Sequence, residues 1–421
     1  MRVMRKPVAA VVLVMLLGVR VWAADPVPPP KMDGGQWSLV VIPDPQSYTE
    51  NYGPRKGHMY QGRFDKQTQW IAASVKAWNI RFVVDLGDNV QNFARQPGEW
   101  ALAVRALNKL HVEGDPDKAA VVPYGVCCGN HDYDSGTRTD LKSTMFEKHL
   151  GPGRFRNAEG KVKEAIRDWF GSDDLGWEWA GPRGPVKGVG RNSWQWFEAG
   201  GRKYLHLTLE TAVTDQGIAW AKEVLKAHES WPTIVSTHAM IDGGKAAGWR
   251  LGARMGREVK GGPNPTNDAP MIMDKLLKDN DQIFLVLCGH MYQQGHRVEK
   301  NAKGNDVHIL EQCYHLNYSG GRVCRRDAPA GGWPSGYDGP DDTTRNGSGW
   351  LTVFVFDEAK KTITRFTYSP LLGVWATDRK GDDRTTKDGQ DGVWWNRSYP
   401  TGDDVIEGIP FDFTARFGPV K

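Results

Sequence analysis

The chain alternates short apolar runs with amphipathic stretches of helical period. Trp37 to Pro43 (Trp-Ser-Leu-Val-Val-Ile-Pro) reads as a buried strand. Phe64 to Asn79 follows, with Trp70, Ile71, Val75 and Trp78 at the three-and-four spacing that gives a helix one apolar face. Arg81 to Leu86 is the next strand, Glu99 to His111 the next helix and Ala119 to Cys128 a third strand. This βαβαβ order predicts a mostly parallel central sheet, because each crossover returns the chain beside the strand it left.

From Tyr133 to about Gly190 the period is lost, and Gly, Pro and Trp gather in Gly151-Pro-Gly153, Gly176-Trp-Glu-Trp179 and Gly181-Pro-Arg-Gly184, as expected of an insertion. Ser193 to Gly200 and Lys203 to Glu210 predict a hairpin turning at Gly200-Gly201. A helix over Asp215 to His228, a strand over Thr233 to Thr237, a helix capped by Asn267 and ending near Lys278, and a strand over Gln282 to Cys288 come next. Asp306 to Gln312, Leu351 to Phe356 and Thr362 to Tyr368 are expected to pair as an antiparallel second sheet. Leu371 to Lys421 mixes Asp, Gly and Trp without a period and reads as an extension wrapped on the same domain.

Composition excludes several classes. With 421 residues, 39% hydrophobic and 25% charged, the chain can bury a full core and is neither disordered nor fibrous. Beyond the first two dozen residues no apolar run approaches the length that crosses a bilayer. Arg2, Arg5 and Lys6 precede the apolar run Val8 to Val19, and Val21-Trp22-Ala23 has the form of a peptidase site. An export signal over residues 1–23 is expected, then a proline-bearing leader over 24–36, with a secreted or periplasmic destination and no membrane attachment after cleavage. The formal charge of +4 includes four basic residues of that segment, so the mature chain is neutral and nucleic acid is not an expected partner. Of five cysteines, Cys127, Cys128 and Cys288 lie in strand-like runs as buried thiols, while Cys313 and Cys324 flank a Gly-containing loop and favour a disulfide.

The chemistry gathers where strands end. Asp44-Pro45-Gln46 follows the first strand, Gly87-Asp88 with Gln91 the second, Gly129-Asn130-His131-Asp132 the third and Gly289-His290 the strand ending at Cys288, while His238 closes a fifth. In α/β sheets the carboxyl ends of parallel strands share one crevice, so these groups can meet. Their mix of carboxylate, amide and imidazole suits two hard or borderline cations with one carboxylate between them.

This ordered series resembles the calcineurin-like metallophosphoesterases, over roughly Trp37 to Tyr368 apart from the insertion. Phe64-Asp-Lys-Gln-Thr-Gln-Trp-Ile71, Asn346-Gly-Ser-Gly-Trp350 and Thr367-Tyr-Ser-Pro370 resemble segments of exported members. The resemblance implies a four-layer α/β fold, a two-sheet β-sandwich flanked by helices. One metallophosphoesterase domain would span 37–370, with the insertion at about 133–190 and the extension 371–421 packed on it. It implies a centre of two divalent or trivalent ions (Fe, Mn or Zn), with Asp88 bridging, Asn130, His238 and His290 on the second ion, and Asp44 with Gln46 on the first.

Three positions depart from the family pattern. Gln46 stands where histidine is usual, though some members carry Gln, Tyr292 where the last histidine is usual, and Gln91 where an acid is usual. Tyr292 binds as a phenolate favouring Fe³⁺, or His296, His58 or His315 substitutes, or the first ion is weak or absent. The implied reaction is hydrolysis of phosphomonoesters or phosphodiesters by metal-bound hydroxide, with His131 assisting the leaving group and Asp132 orienting His131. The substrate would be a small-molecule or glycan-linked phosphate ester. Trp169, Trp177, Trp179, Trp375, Trp394 and Trp395 are candidates for a stacking wall or for plain packing, and Arg138 and Arg191 for phosphate contacts. The alternative function is a degenerate, non-catalytic binder of phosphate or glycan ligands. The sequence sets no oligomeric state.

Overall fold

The computed structural model describes residues 32–50, 62–134, 143–155, 178–181, 184–187, 191–244, 248–252, 266–291, 294–314, 349–371, 373–375 and 406–420. The expected export signal and leader through residue 31, Tyr292, His58, His315, Arg138, Cys324, Trp169, Trp177, Trp394 and Trp395 lie outside the described residues.

In chain order the main elements are β1 (Trp37–Ile42), α1 (Arg63–Ser74), β2 (Ile80–Asp85), α2 (Pro97–Asn108), β3 (Tyr124–Val126), β4 (Ser193–Ala199), β5 (Arg202–Leu209), α3 (Asp215–Ala227), β6 (Thr233–Thr237), α4 (Ala269–Ile272), β7 (Ile283–Cys288), β8 (Gln294–Lys300), β9 (Asp306–Gln312), β10 (Leu351–Asp357), β11 (Thr362–Ser369), β12 (Val374–Trp375), β13 (Ile406–Pro410) and α5 (Phe413–Phe417). The first sheet runs β12-β11-β10-β1-β2-β3, with β13 also on β11, and the second runs β8-β9-β7-β6-β5-β4. Each holds a parallel triple flanked by antiparallel strands: β1, β2 and β3 in the first, β5, β6 and β7 in the second, continued in parallel by β9.

Alternation along the strands builds the layers. Val40 and Ile42 of β1 face out toward α1 and α2, packing with Ile71, Trp100 and Leu107. Leu39 and Val41, between them in sequence, face the second sheet and meet Phe82, Phe284 and Leu287. The outer face of the second sheet buries Leu207, Val235 and Val286 against Ile218, Val224 and Leu276 of the helical layer. The architecture is therefore helix, sheet, sheet, helix, a metallophosphoesterase-like α/β sandwich, as the resemblance implied.

Three expectations need correcting. Asp306–Gln312 does not pair with Leu351–Asp357 but lies parallel to β7 in the second sheet, while β10 and β11 extend the first sheet beyond β1. Strand β8 went unread because Gln-Gly-His-Arg-Val-Glu-Lys is polar and sits at a sheet edge, where one face meets water. The first helix stops at Ser74 instead of Asn79: the chain turns into β2 with Asn79 left-handed at φ 43° and Ile80 N–H donating to Val75 O at 2.9 Å. Asp268, rather than Asn267, caps α4, accepting from Met271 N–H at 3.1 Å. Within the insertion, Thr144–His149 and Pro152–Phe155 are helical and bury Phe146 and Phe155 in the outer core of the first sheet.

Candidate metal centre

The parallel triples of the two sheets end on the same rim. Asp44 follows β1, Asp88 follows β2, Asn130 follows β3, His238 follows β6 and His290 follows β7. The loops that carry them are pressed together. A Cβ on Gly289 would stand 2.1 Å from Asp44 Oδ1, and one on Gly129 would stand 2.1 Å from the Asp88 backbone nitrogen, so only glycine lets the strands' exits approach this closely. Asp44, Asp88 and His290 all sit at positive φ (36°, 52° and 79°), which costs a non-glycine residue roughly 1–3 kcal/mol and is found where function requires it.

One ligand atom each from Asp88, His238 and His290 lies within 4.8 Å of the others. His238 is wholly buried, and its Nδ1–H donates across the sheet gap to Leu86 O at 2.9 Å. A carbonyl can only accept, so the proton is on Nδ1 and Nε2 faces inward. There it meets Asn130 Oδ1 at 2.9 Å and Asp88 Oδ2 at 3.1 Å. A nitrogen facing two acceptors must carry a proton or share a cation with them, which is the arrangement of a metal site.

Electrostatics point the same way. Burial alone would lower His238, but the carboxylates of Asp88 and Asp44 outweigh it and lift the imidazole to about 10. Burial would raise Asp88, yet His238, His131 and His290 hold it below the usual carboxyl range. Burial pushes Asp44 up to about 7, with His238 opposing and Asp88 adding to the rise. A field that retains a proton this firmly between buried carboxylates would also draw a cation.

Asp44 is turned into the centre. Its Oδ2 accepts from His290 N–H at 2.6 Å, while Oδ1 is buried with no hydrogen-bond partner of ordinary geometry. The Cys313 thiol, a weak donor, comes up beside this carboxylate, and His238 Nδ1 stands 3.7 Å from Oδ1. Gln46 is 2% exposed, and its Oε1 also accepts no hydrogen bond among the described residues. Buried oxygens are rarely left so, and the Asp44 carboxylate, close enough to Asp88 to feel its charge, fits a cation on the first side as the donor set fits one on the second. His296 is not there to substitute: its Nε2 meets His308 Nδ1 at 3.1 Å on neighbouring strands.

His131 leans over the centre from the β3 loop. Its backbone N–H donates to Asp88 Oδ1 at 2.7 Å, its Nδ1–H donates to Gln91 O at 2.7 Å, and its ring stacks on Phe93 at 4.9 Å with 10° between planes. The expected role of Asp132 is not what its contacts describe. Its carboxylate accepts from Asn89 N–H at 2.8 Å and Gly129 N–H at 2.9 Å, so it ties the β2 and β3 loops together and does not touch His131. Burial and the Asp88 charge raise it to about 7. Arg191 is not available to a phosphate either: it is 1% exposed and pairs with Glu210 Oε2 at 3.1 Å beneath the Tyr133 ring.

Sequence reading missed two supporting groups. Cys313 directly follows β9, and would have been found had that strand been placed beside β7, whose register pairs Cys288 with Glu311. Its expected partner Cys324 lies outside the described residues. Glu311 is buried and binds the same rim, accepting from Met291 N–H at 2.8 Å and from the Cys288 thiol at 3.0 Å.

The profile of the calcineurin-like phosphoesterases matches residues 38–294, well over half of the chain. The chain belongs to the calcineurin-like phosphoesterase family. It is 25% identical over 364 residues to an uncharacterized protein of Bacillus subtilis, YvnB, a match that takes in 85% of this chain but 22% of that protein, so the chain spans about a fifth of its relative's length. Solved structures of similar fold include the dimetal phosphatase from Danio rerio (11% identity, TM-score 0.39, 79% of this chain and 96% of that one). Another is GAP50, the anchor in the inner membrane complex of Plasmodium (12% identity, TM-score 0.38, 80% and 86%). Within this calcineurin-like domain, the matched segment carries Asp44, Asp88, Asn130, His131, His238 and His290.

Proposed function

We propose that this calcineurin-like phosphoesterase is an exported, metal-dependent hydrolase of phosphomonoesters or phosphodiesters. The observation that carries the reading is the meeting of Asp88, His238 and His290 within 4.8 Å at a rim where Asp44 Oδ1 and Gln46 Oε1 are buried without ordinary donors. Asp44, Gln46 and Asp88 would hold one cation, and Asp88, Asn130, His238 and His290 the other, with Tyr292 a further candidate from sequence. Bound there, two cations supply an activated water as nucleophile and neutralise the phosphate oxygens.

The chain's own residues do the rest. Asp88 would serve both cations, and its orientation is fixed by the His131 amide. His238 is locked in one tautomer by Leu86 O, which keeps Nε2 for the centre. His131 has Nδ1 engaged by Gln91 O, so Nε2 is the nitrogen left to give a proton to the departing alkoxide. The leaving group is then released as an alcohol.

The substrate proposed is a small or glycan-linked phosphate ester, because the mature chain carries no excess of positive charge to gather a polynucleotide. Among the described residues no helix is long and apolar enough to cross a membrane. The mature protein, stripped of metal and reloaded with Mn²⁺, Fe or Zn²⁺, is expected to cleave nitrophenyl phosphate esters. Failure to turn over with any metal, with at most one ion bound, would favour a non-catalytic phosphate- or glycan-binding protein.

A further inference from the structure

Among the described residues no carboxylate is hydrogen-bonded to the His131 imidazole, and the position where the family resemblance places an acid is Gln91. The Gln91 carbonyl takes the Nδ1 proton at 2.7 Å, and the half-buried Phe93 ring lies flat against the imidazole at 4.9 Å. Both belong to residues 91–93, a segment between β2 and α2 that forms no strand or α-helix and holds Phe93 at φ 60°. A loop in this conformation would not keep a carbonyl and a ring aimed at one imidazole unless something held it.

The first turn of α2 holds it. Glu99, wholly buried, accepts from Gln91 N–H at 2.9 Å, Asn92 N–H at 2.8 Å and Asn92 Nδ2 at 2.7 Å. Its neighbour Trp100, also wholly buried, donates from Nε1 to Phe93 O at 3.1 Å. Two consecutive side chains of a helix that is anchored in the outer core thus grip three consecutive backbone units. Hydrogen bonds to a buried carboxylate are the strong kind, and losing their acceptor leaves the N–H groups of residues 91 and 92 unsatisfied.

We infer that Glu99 and Trp100 are positioning residues for His131, doing through the backbone what a carboxylate partner on the imidazole would otherwise do. The clamp fixes Nδ1–H on the Gln91 carbonyl and blocks one ring face with Phe93, so that Nε2 alone is presented to the leaving oxygen. The step it serves is a single proton transfer: the Nε2–H bond breaks as the O–H bond of the departing alcohol forms. This inference rests on the hydrolase reading for its kinetic consequence, but the contact between His131 and Gln91 does not.

Leaving-group dependence tests it, because proton donation matters for a poor leaving group and hardly at all for nitrophenolate. Glu99→Ala and Phe93→Ala, each metal-loaded, are compared with wild type on alkyl and nitrophenyl phosphate, alongside Glu99→Gln, which keeps an acceptor oxygen. Expected are unchanged metal content, KM within about twofold, kcat on the alkyl ester down about 10- to 100-fold, kcat on the nitrophenyl ester down less than about threefold, and substantial recovery in Glu99→Gln. Equal losses on both esters, or loss of metal, would overturn it. Since Glu99→Ala could unfold, Phe93 is half-exposed and gives an independent variant. In addition, the ¹⁵N-labelled wild type should show a slowly exchanging His131 Nδ1–H that Glu99→Gln retains and Glu99→Ala loses. An Nδ1–H that exchanges freely in the wild type would contradict the clamp even if no ester is cleaved, whereas its presence with no turnover would fault only the hydrolase reading.

Discussion

The space between the two sheets has two ends built on opposite terms. At the N-terminal ends of the parallel strands it is closed by rings: Trp37 stacks on Phe356 at 3.8 Å and 3°, and Phe284 packs against Phe411, Phe413 and Phe417, so that α5 acts as a floor. At the C-terminal ends it holds Asp44, Asp88, Asn130 and His238, all 2% exposed or less, on loops with three non-glycine residues at positive φ. The floor gains free energy from area and shape. The rim gives some of it back in strain and in desolvated charge, a cost that folding alone would not retain. One end therefore stabilises the sandwich and the other uses that stability to keep ligands in place.

Substitutions at the two ends should separate accordingly. Asp88→Asn is expected to abolish loading of both cations and to cut turnover by about a thousandfold or more, with the fold intact; metal analysis and circular dichroism check this. His131→Ala should keep both ions and lose about 10²–10³ in kcat, read on alkyl phosphate with the metal content measured in the same sample. Wild-type turnover in that variant would remove His131 from the mechanism. At the floor, Phe284→Ala should cost about 3–5 kcal/mol of unfolding free energy while leaving kcat per folded molecule unchanged. A comparable loss of metal affinity would mean that the ends are not independent.

The smallest effect concerns His206, which lies in the gap between floor and rim, against Phe82 at 4.8 Å. Burial depresses it from 6.5 to about 3, so the folded protein keeps it neutral while the unfolded chain takes up a proton. Its contribution is complete above pH 6.5 and is lost as pH falls from there toward 3, at up to about 1.4 kcal/mol per pH unit. Urea unfolding of wild type and His206→Gln at pH 7.5, 6 and 5 should show the difference between them narrowing by roughly that amount as pH drops through this window. A constant difference would show that the imidazole is not buried neutral.

Much of the rim was legible because its residues follow strands whose apolar runs are unmistakable: β1 and β7 are buried along their whole lengths, so the polar residue after each is conspicuous. Pairing was not legible. Asp306–Gln312 has the period of a strand, but periodicity carries no address, and nothing in its residues separates β10 and β11 from the parallel neighbour β7, although β7 is nearer in sequence. The partner of His131 was misread for a related reason. Asp132 is adjacent in sequence, yet its side chain turns to the Asn89 and Gly129 amides, and the actual acceptor is a main-chain carbonyl that no residue type advertises. Strand ends can be read from composition, whereas hydrogen bonds to backbone depend on how loops close.

Diffraction from crystals of the Mn²⁺- or Zn²⁺-loaded protein, recorded on both sides of the metal's absorption edge, addresses the centre itself. Two anomalous peaks are expected with Asp88 between them, one bounded by Asn130, His238 and His290 and the other by Asp44 and Gln46. Peaks elsewhere on the molecule, or none beside Asp88 at full loading, would contradict that arrangement.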